Sequence, residues 1–176
     1  WDEIVRSVIS LRVMGEFITG DETCRLDNVY LSATPVDVFE PCLCDGFNES
    51  DTGDWSSEDT GGLSRENAGG NPGGYLRVRD KGGVTSIVLA PATFLGDWSP
   101  LDGNGFVTVD VRILSRTGEP FRHMEFLRIS GPGGSAFVTL DAATLPPSSL
   151  MWQTLRFPID ASVWTVDSGD WDSLLA

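Results

Sequence analysis

Apolar and polar residues alternate with a period of two along much of the chain. The clearest run is Phe106 to Leu114, with Val107, Val109, Val111 and Ile113 on one face and Thr108, Asp110 and Arg112 on the other. That period marks a half-buried strand. From Tyr75 to Asp80, Leu76 and Val78 point inward, and Arg77 and Arg79 point outward. Val84 to Ala90, Met124 to Ser130, Ser135 to Leu140 and Met151 to Ile159 are further strands. Gly82-Gly83, Gly103-Asn104-Gly105, Gly131-Pro132-Gly133-Gly134 and Pro146-Pro147 punctuate them. Short strands at this spacing predict an all-β sandwich. Several long connections favour a jelly roll.

The first residues follow a different rhythm. Ile4, Val5, Val8 and Ile9 form a helical stripe, which predicts a short helix near Trp1 to Ile9. Leu11 and Val13 then alternate with Arg12 and Met14 as in a strand, Gly20-Asp21-Glu22-Thr23 signals a turn, and Leu26 to Leu31 gives a second strand. Residues 35–43 contain Pro35 and Pro41 and read as an extended, stiff linker. Its reach is roughly 30 Å.

The chain also repeats itself. Trp171-Asp172-Ser173-Leu174-Leu175-Ala176 matches Trp1-Asp2-Glu3-Ile4-Val5-Arg6 at an offset of 171 − 1 = 170 residues. The order reads as the closing strands of one module (1–34), a linker (35–43) and the body of the next module (44–176), which lacks its last strands. Residues 7–34 are expected to complete the sandwich begun at Cys44, giving a composite of 133 + 28 = 161 residues, an ordinary domain size. The linker could fold back as a hairpin and leave a permuted monomer, or carry the strands into a neighbouring copy; two prolines resist a tight return and favour donation. Leu11, Val13, Val29 and Leu31 would supply core burial, as in strand addition at a sheet edge. Such contacts are heterologous and build an open head-to-tail filament unless the rotation closes.

Composition narrows the partners. A net charge of −14 over 176 residues argues against nucleic acid and against anionic membrane surfaces. No apolar run of about 18 residues predicts a membrane span. Trp1-Asp2-Glu3 has no basic n-region or apolar h-region of a secretory leader, which leaves location open. The acidity suits extracellular or calcium-rich settings. Cys24, Cys42 and Cys44 are an odd number, and Cys-Leu-Cys is not a zinc pattern. In a secreted chain they predict one bridge, Cys24 to Cys42 or Cys44, and one thiol left over.

Two stretches, Pro72-Gly73-Gly74-Tyr75-Leu76-Arg77 and Ile87-Val88-Leu89-Ala90-Pro91-Ala92-Thr93-Phe94-Leu95-Gly96-Asp97, resemble the laminin B module, also called laminin domain IV type A. Trp152 to Phe157, Leu11 to Glu16 and Leu26 to Val29 match that module's later strands, here placed first. The resemblance covers nearly the whole chain. It implies a jelly-roll sandwich like carbohydrate-binding modules, as also found in bacterial secreted and cell-surface proteins. It implies a spacer or adhesive role and brings no catalytic residues. Sandwiches of this kind often hold a structural ion where first and last strands meet, which makes Asp27, Asp45, Asn48 and Glu49 candidate calcium ligands.

Catalytic chemistry finds little support. His123 is the single histidine and stands beside no nucleophile motif. Glu58-Asp59 is an acid pair in a loop without fixed separation. Of six tryptophans, Trp152 and Trp164 are expected in or against the core, while Trp55 and Trp98, in polar loops, are the candidates for stacking on sugars. Asn48-Glu49-Ser50 is a glycosylation sequon. The sequence thus points to a non-enzymatic structural subunit of an extracellular fibre or repeat array, assembled from copies of itself by strand donation. The alternative is a carbohydrate-binding or adhesive module of a cell-surface protein, its partners glycans. No cofactor is required beyond a possible structural calcium.

Overall fold

The computed structural model describes residues 8–18, 22–33, 43–48, 53–58, 62–79, 86–113, 119–144 and 151–176. In chain order the strands are β1 (Ser10–Met14), β2 (Thr23–Ser32), β3 (Leu43–Asp45), β4 (Ser56–Ser57), β5 (Gly62–Gly70) and β6 (Gly73–Arg79). There follow β7 (Ile87–Leu89), β8 (Phe106–Ile113), β9 (Met124–Gly131), β10 (Gly134–Leu140), β11 (Gln153–Pro158), β12 (Thr165–Gly169) and the helix α1 (Trp171–Leu175). The strands form two antiparallel sheets, ordered β12-β10-β9-β1-β7-β4 and β11-β8-β2-β6-β5, with β3 added on β2. The chain is an all-β sandwich, as the alternation predicts.

The alternating apolar residues meet between the sheets. Leu11, Val13, Val88, Phe126 and Ile129 of the first sheet and Cys24, Leu26, Leu76, Val109 and Val111 of the second are buried in one cluster. Phe126 joins Phe17 and Phe157 at ring separations of 5.8 and 5.4 Å. Each such side chain contributes about 1.5–3 kcal/mol of burial.

Residues 8–33 occupy the middle of both sheets. β1 lies between β9 and β7, with Leu11 opposite Ile129 and Val13 opposite Val88. β2 lies between β8 and β6, with Leu26 opposite Val111 and Leu76. Leu11, Val13, Val29 and Leu31 are all buried there, in their own chain's core. Leu43 stands opposite Leu31, so the ends of segment 34–42, itself outside the described residues, are neighbours. Leu43, expected in the linker, is therefore strand.

The predicted N-terminal helix needs correction where it can be placed. Residues 1–7 lie outside the described residues. Val8 bridges Gly96, and the Ile9 amide donates to the Ser130 carbonyl at 2.8 Å, so both are extended continuations of β1. Helix forms instead at the other copy of the motif. Asp170 caps α1, accepting from the Ser173 amide at 2.9 Å. Trp171, Leu174 and Leu175 are buried, Trp171 lies 6.1 Å from Trp164, and its indole donates to Asp102 at 2.8 Å. Gly133 is required under this helix, because a Cβ there would stand 2.0 Å from the Ser173 carbonyl oxygen.

The predicted Cys24 bridge is also corrected. Cys24 is a buried free thiol between Val78 and Ile113. Cys44 pairs with Tyr30, six residues along β2 and so about 20 Å away, where a disulfide needs Cα atoms about 4.4–6.8 Å apart. Cys42 lies outside the described residues. Among the described residues, no helix is long and apolar enough to cross a membrane.

Candidate functional site

The two outer faces of the sandwich treat arginine differently. On the first sheet Arg12 and Arg128 are cross-strand partners, and both are neutralised. Arg12 meets Glu58 at 2.8 Å, while Arg128 meets Glu125 at 2.6 Å and Asp167 at 2.7 Å. On the second sheet the register sets Arg77, Arg25 and Arg112 in one row across β6, β2 and β8. Like charges directly opposite are unfavourable. Arg77 reaches Glu66 at 3.3 Å, but neither Arg25 nor Arg112 forms an ion pair among the described residues.

Arg25 is held without a carboxylate. Its guanidinium lies 4.2 Å over the Tyr75 ring and donates to the Gly69 carbonyl at 3.4 Å. Burial draws its pKa down and the charges of Arg112 and Arg77 add to the lowering, while Tyr75 and, more weakly, Glu66 oppose it. The Nε atoms of all three arginines are enclosed and have no acceptor. The row is a cationic strip on a strongly acidic chain.

An aromatic pair borders the strip. Tyr75 packs edge-on to Trp152, ring centroids 6.0 Å apart, and Tyr75 is buried beneath its neighbours. Trp152 is half-buried, and its indole donates to the Gly69 carbonyl at 3.3 Å. It precedes Gln153, the partner of Val111, and so stands level with Arg112. Gly69 thus fixes both Arg25 and Trp152 through one carbonyl. Its φ of +95° suits glycine, and a Cβ would lie 3.4 Å from the Arg25 guanidinium.

The next row forms a polar floor. Asp27 is opposite Asp110, which is opposite Thr154. Both carboxylates are buried although they face outward, because the β5–β6 turn folds over them. A bulge between Asp27 and Tyr30 turns Asn28 to this same face at φ 45°. Asp27 accepts from the Asn28 amide at 2.8 Å and from the Asn71 amide. Asp110 accepts from Asn28 Nδ2 at 2.7 Å, Asn71 Nδ2 at 3.0 Å and Thr154 Oγ1 at 2.6 Å. Buried carboxylates with these partners act as clamps on the turn.

The structure distributes the candidates from sequence as follows. Trp55 and Trp98 are 3% and 1% exposed, so neither offers a ring to a sugar. Trp55 lies edge-on to Phe47 and Phe94, and the Trp98 indole donates to the Phe94 carbonyl. Their polar neighbours lie on the surface while the indoles turn inward. Trp152, expected in or against the core, is the tryptophan on the outer face. Of the calcium candidates, Asp27 has both oxygens engaged by backbone amides, and Asn48 accepts from the Gly74 amide at 3.2 Å. Asp45 pairs with Val29 through the backbone, and Glu49 lies outside the described residues. His123 is exposed at a turn, with φ 55°. Arg77 was legible as outward-facing, and so was Arg112; only the strand register brings them together with Arg25.

Comparison with protein-family models, with curated proteins and with solved structures found no match.

Proposed function

We propose that the chain is a carbohydrate-binding or adhesive module of an extracellular or cell-surface protein, and that the outer face of the second sheet is its recognition surface. The observation that carries this reading is Trp152. It is a half-buried ring fixed by Tyr75 and by the Gly69 carbonyl, level with Arg112, which forms no ion pair among the described residues. Sugars are gripped by a ring against their C–H face and by fixed polar groups on their hydroxyls. The sandwich and the laminin B-like stretches support the same proposal.

A glycan array tests it. Native protein is expected to bind, and Trp152→Ala to lose binding while keeping its melting temperature within a few degrees. Retained binding by the folded variant would refute the assignment of the face.

A second reading, the head-to-tail array, rests on a separate observation. At the repeat offset, position 176 corresponds to position 6 (176 − 170 = 6), just ahead of Val8. The Trp98 amide donates to the Leu175 carbonyl at 2.7 Å, and Val8 bridges Gly96 on the same short segment. The end of α1 therefore lies beside the entry to the β1 position. A second copy's β1 and β2 fit the same slot. Native mass spectrometry of mixed light and isotope-labelled protein tests the exchange, with mixed dimers and longer species expected; monomers alone at high concentration exclude it.

A further inference from the structure

We infer that the ligand of the second sheet's outer face is an acidic polysaccharide, its carboxylate or sulfate groups seated on the row Arg77-Arg25-Arg112 and one sugar ring against Trp152. This rests on the recognition reading above and adds the ligand's class.

The argument begins with an internal contrast. The chain holds 12 Lys and Arg against 26 Asp and Glu, so an arginine has acids in excess to pair with. On the first sheet's face each of two adjacent arginines has found one or two within 2.8 Å. On the second sheet's face three stand in one row, and among the described residues only Arg77 is paired, at 3.3 Å. The anionic side chains nearby are committed elsewhere. Glu66 is taken by Arg77, and the oxygens of Asp27 and Asp110 are filled by Asn28, Asn71 and Thr154. Among the described residues, no acid forms an ion pair with Arg25 or Arg112.

Geometry then selects the kind of anion. Neighbouring strands set the Cβ atoms of the three arginines about 5 Å apart in a row across the sheet. A linear acidic glycan repeats its charge on a comparable scale, sugar by sugar. Arginine forks match carboxylate and sulfate oxygens in two-point contacts. The row ends at Trp152, whose ring suits a pyranose face and not an extended acidic peptide.

Binding of the intact protein to polygalacturonate, dextran sulfate and neutral dextran tests the inference, with polyglutamate and single-stranded DNA as non-sugar polyanions. One or both acidic polysaccharides should bind, with affinity falling as salt rises to about 0.5 M, where the screening length is a few ångströms. Which of the two binds separates carboxylate from sulfate. Arg112→Gln and Arg25→Gln should each weaken binding about tenfold or more. Arg122→Gln makes the same charge change on a 72% exposed side chain off this face and should leave binding unchanged. Near-equal melting temperatures of Arg112→Gln and the native protein keep the comparison clean. Preference for neutral dextran would overturn the acidic class and leave the recognition reading standing. Equal binding of polyglutamate or DNA would overturn the sugar specificity. Binding to none of these, nor to any sugar on the array, would sink both readings.

Discussion

Cys24 illustrates how a single residue's surroundings set its chemistry. Burial pushes its thiol pKa well above the ordinary value, and the negative charge of Glu22 adds to this. Native protein is therefore expected to resist iodoacetamide at Cys24 and to react there after unfolding, as read by peptide mass mapping. Tyr30 is raised too, by burial and then by Asp110 and Asp27. Both groups have folded pKa values above their unfolded ones. The stability they contribute is complete below the unfolded values, about 8.5 for the thiol and about 10 for the phenol, and is lost as pH rises past them. Urea denaturation against pH should show this fall, and Cys24→Ala should flatten its first part, between about pH 8.5 and 9.5. The tryptophans show what residue-scale reading can miss. Trp55 and Trp98 sit among polar neighbours in sequence, yet their indoles are buried, while Trp152 heads an apolar strand and is half-exposed. Side-chain direction at a loop or strand end is set by tertiary packing, which neighbouring residue types do not encode.

At the scale of elements, period-two alternation was enough to locate β1, β6, β8, β9 and β10 closely. β8 was expected over Phe106 to Leu114 and runs Phe106–Ile113. β5 escaped because Gly-Leu-Ser-Arg-Glu-Asn-Ala-Gly-Gly has almost no apolar face. Its pairing comes from the backbone ladder with β6, not from burial. The face of the second sheet escaped for a related reason: outward positions are readable strand by strand, but register across strands is not. The β5–β6 turn is expected to be its most sensitive element. Asp110→Ala leaves Asn28, Asn71 and Thr154 without their shared acceptor and should cost at least about 2 kcal/mol in urea denaturation. Hydrogen exchange should rise across residues 69–74 in that variant, and unchanged protection would show that the carboxylate does not clamp the turn. Leu11→Ala, in the centre of the first sheet, should cost about 2–5 kcal/mol by the same measurement.

For the molecule as a whole, the sequence left open whether residues 7–34 complete their own body or a neighbour's, because the proximity of Leu31 and Leu43 is a property of the ladder. A fragment beginning at Leu43 lacks the central strand of each sheet and is expected to be molten or insoluble, as judged by near-ultraviolet circular dichroism. A folded monomeric fragment would show that the outer strands suffice. The central position of β1 and β2 also carries a cost in time. Their flanking partners in β8 and β9 begin at Phe106 and Met124, roughly a hundred residues later. At about 5–20 residues per second, a ribosome needs on the order of 5–20 s to make them. β3, β6 and β7 emerge earlier and can cover one edge, but throughout that interval the edges of β1 and β2 that face β9 and β8 stay open, and long-range pairing of this kind is slow even afterwards. Nascent chains on the same messenger expose identical strands to one another in that window, so synthesis itself is the stage at which one copy's strands most easily enter another's sheets.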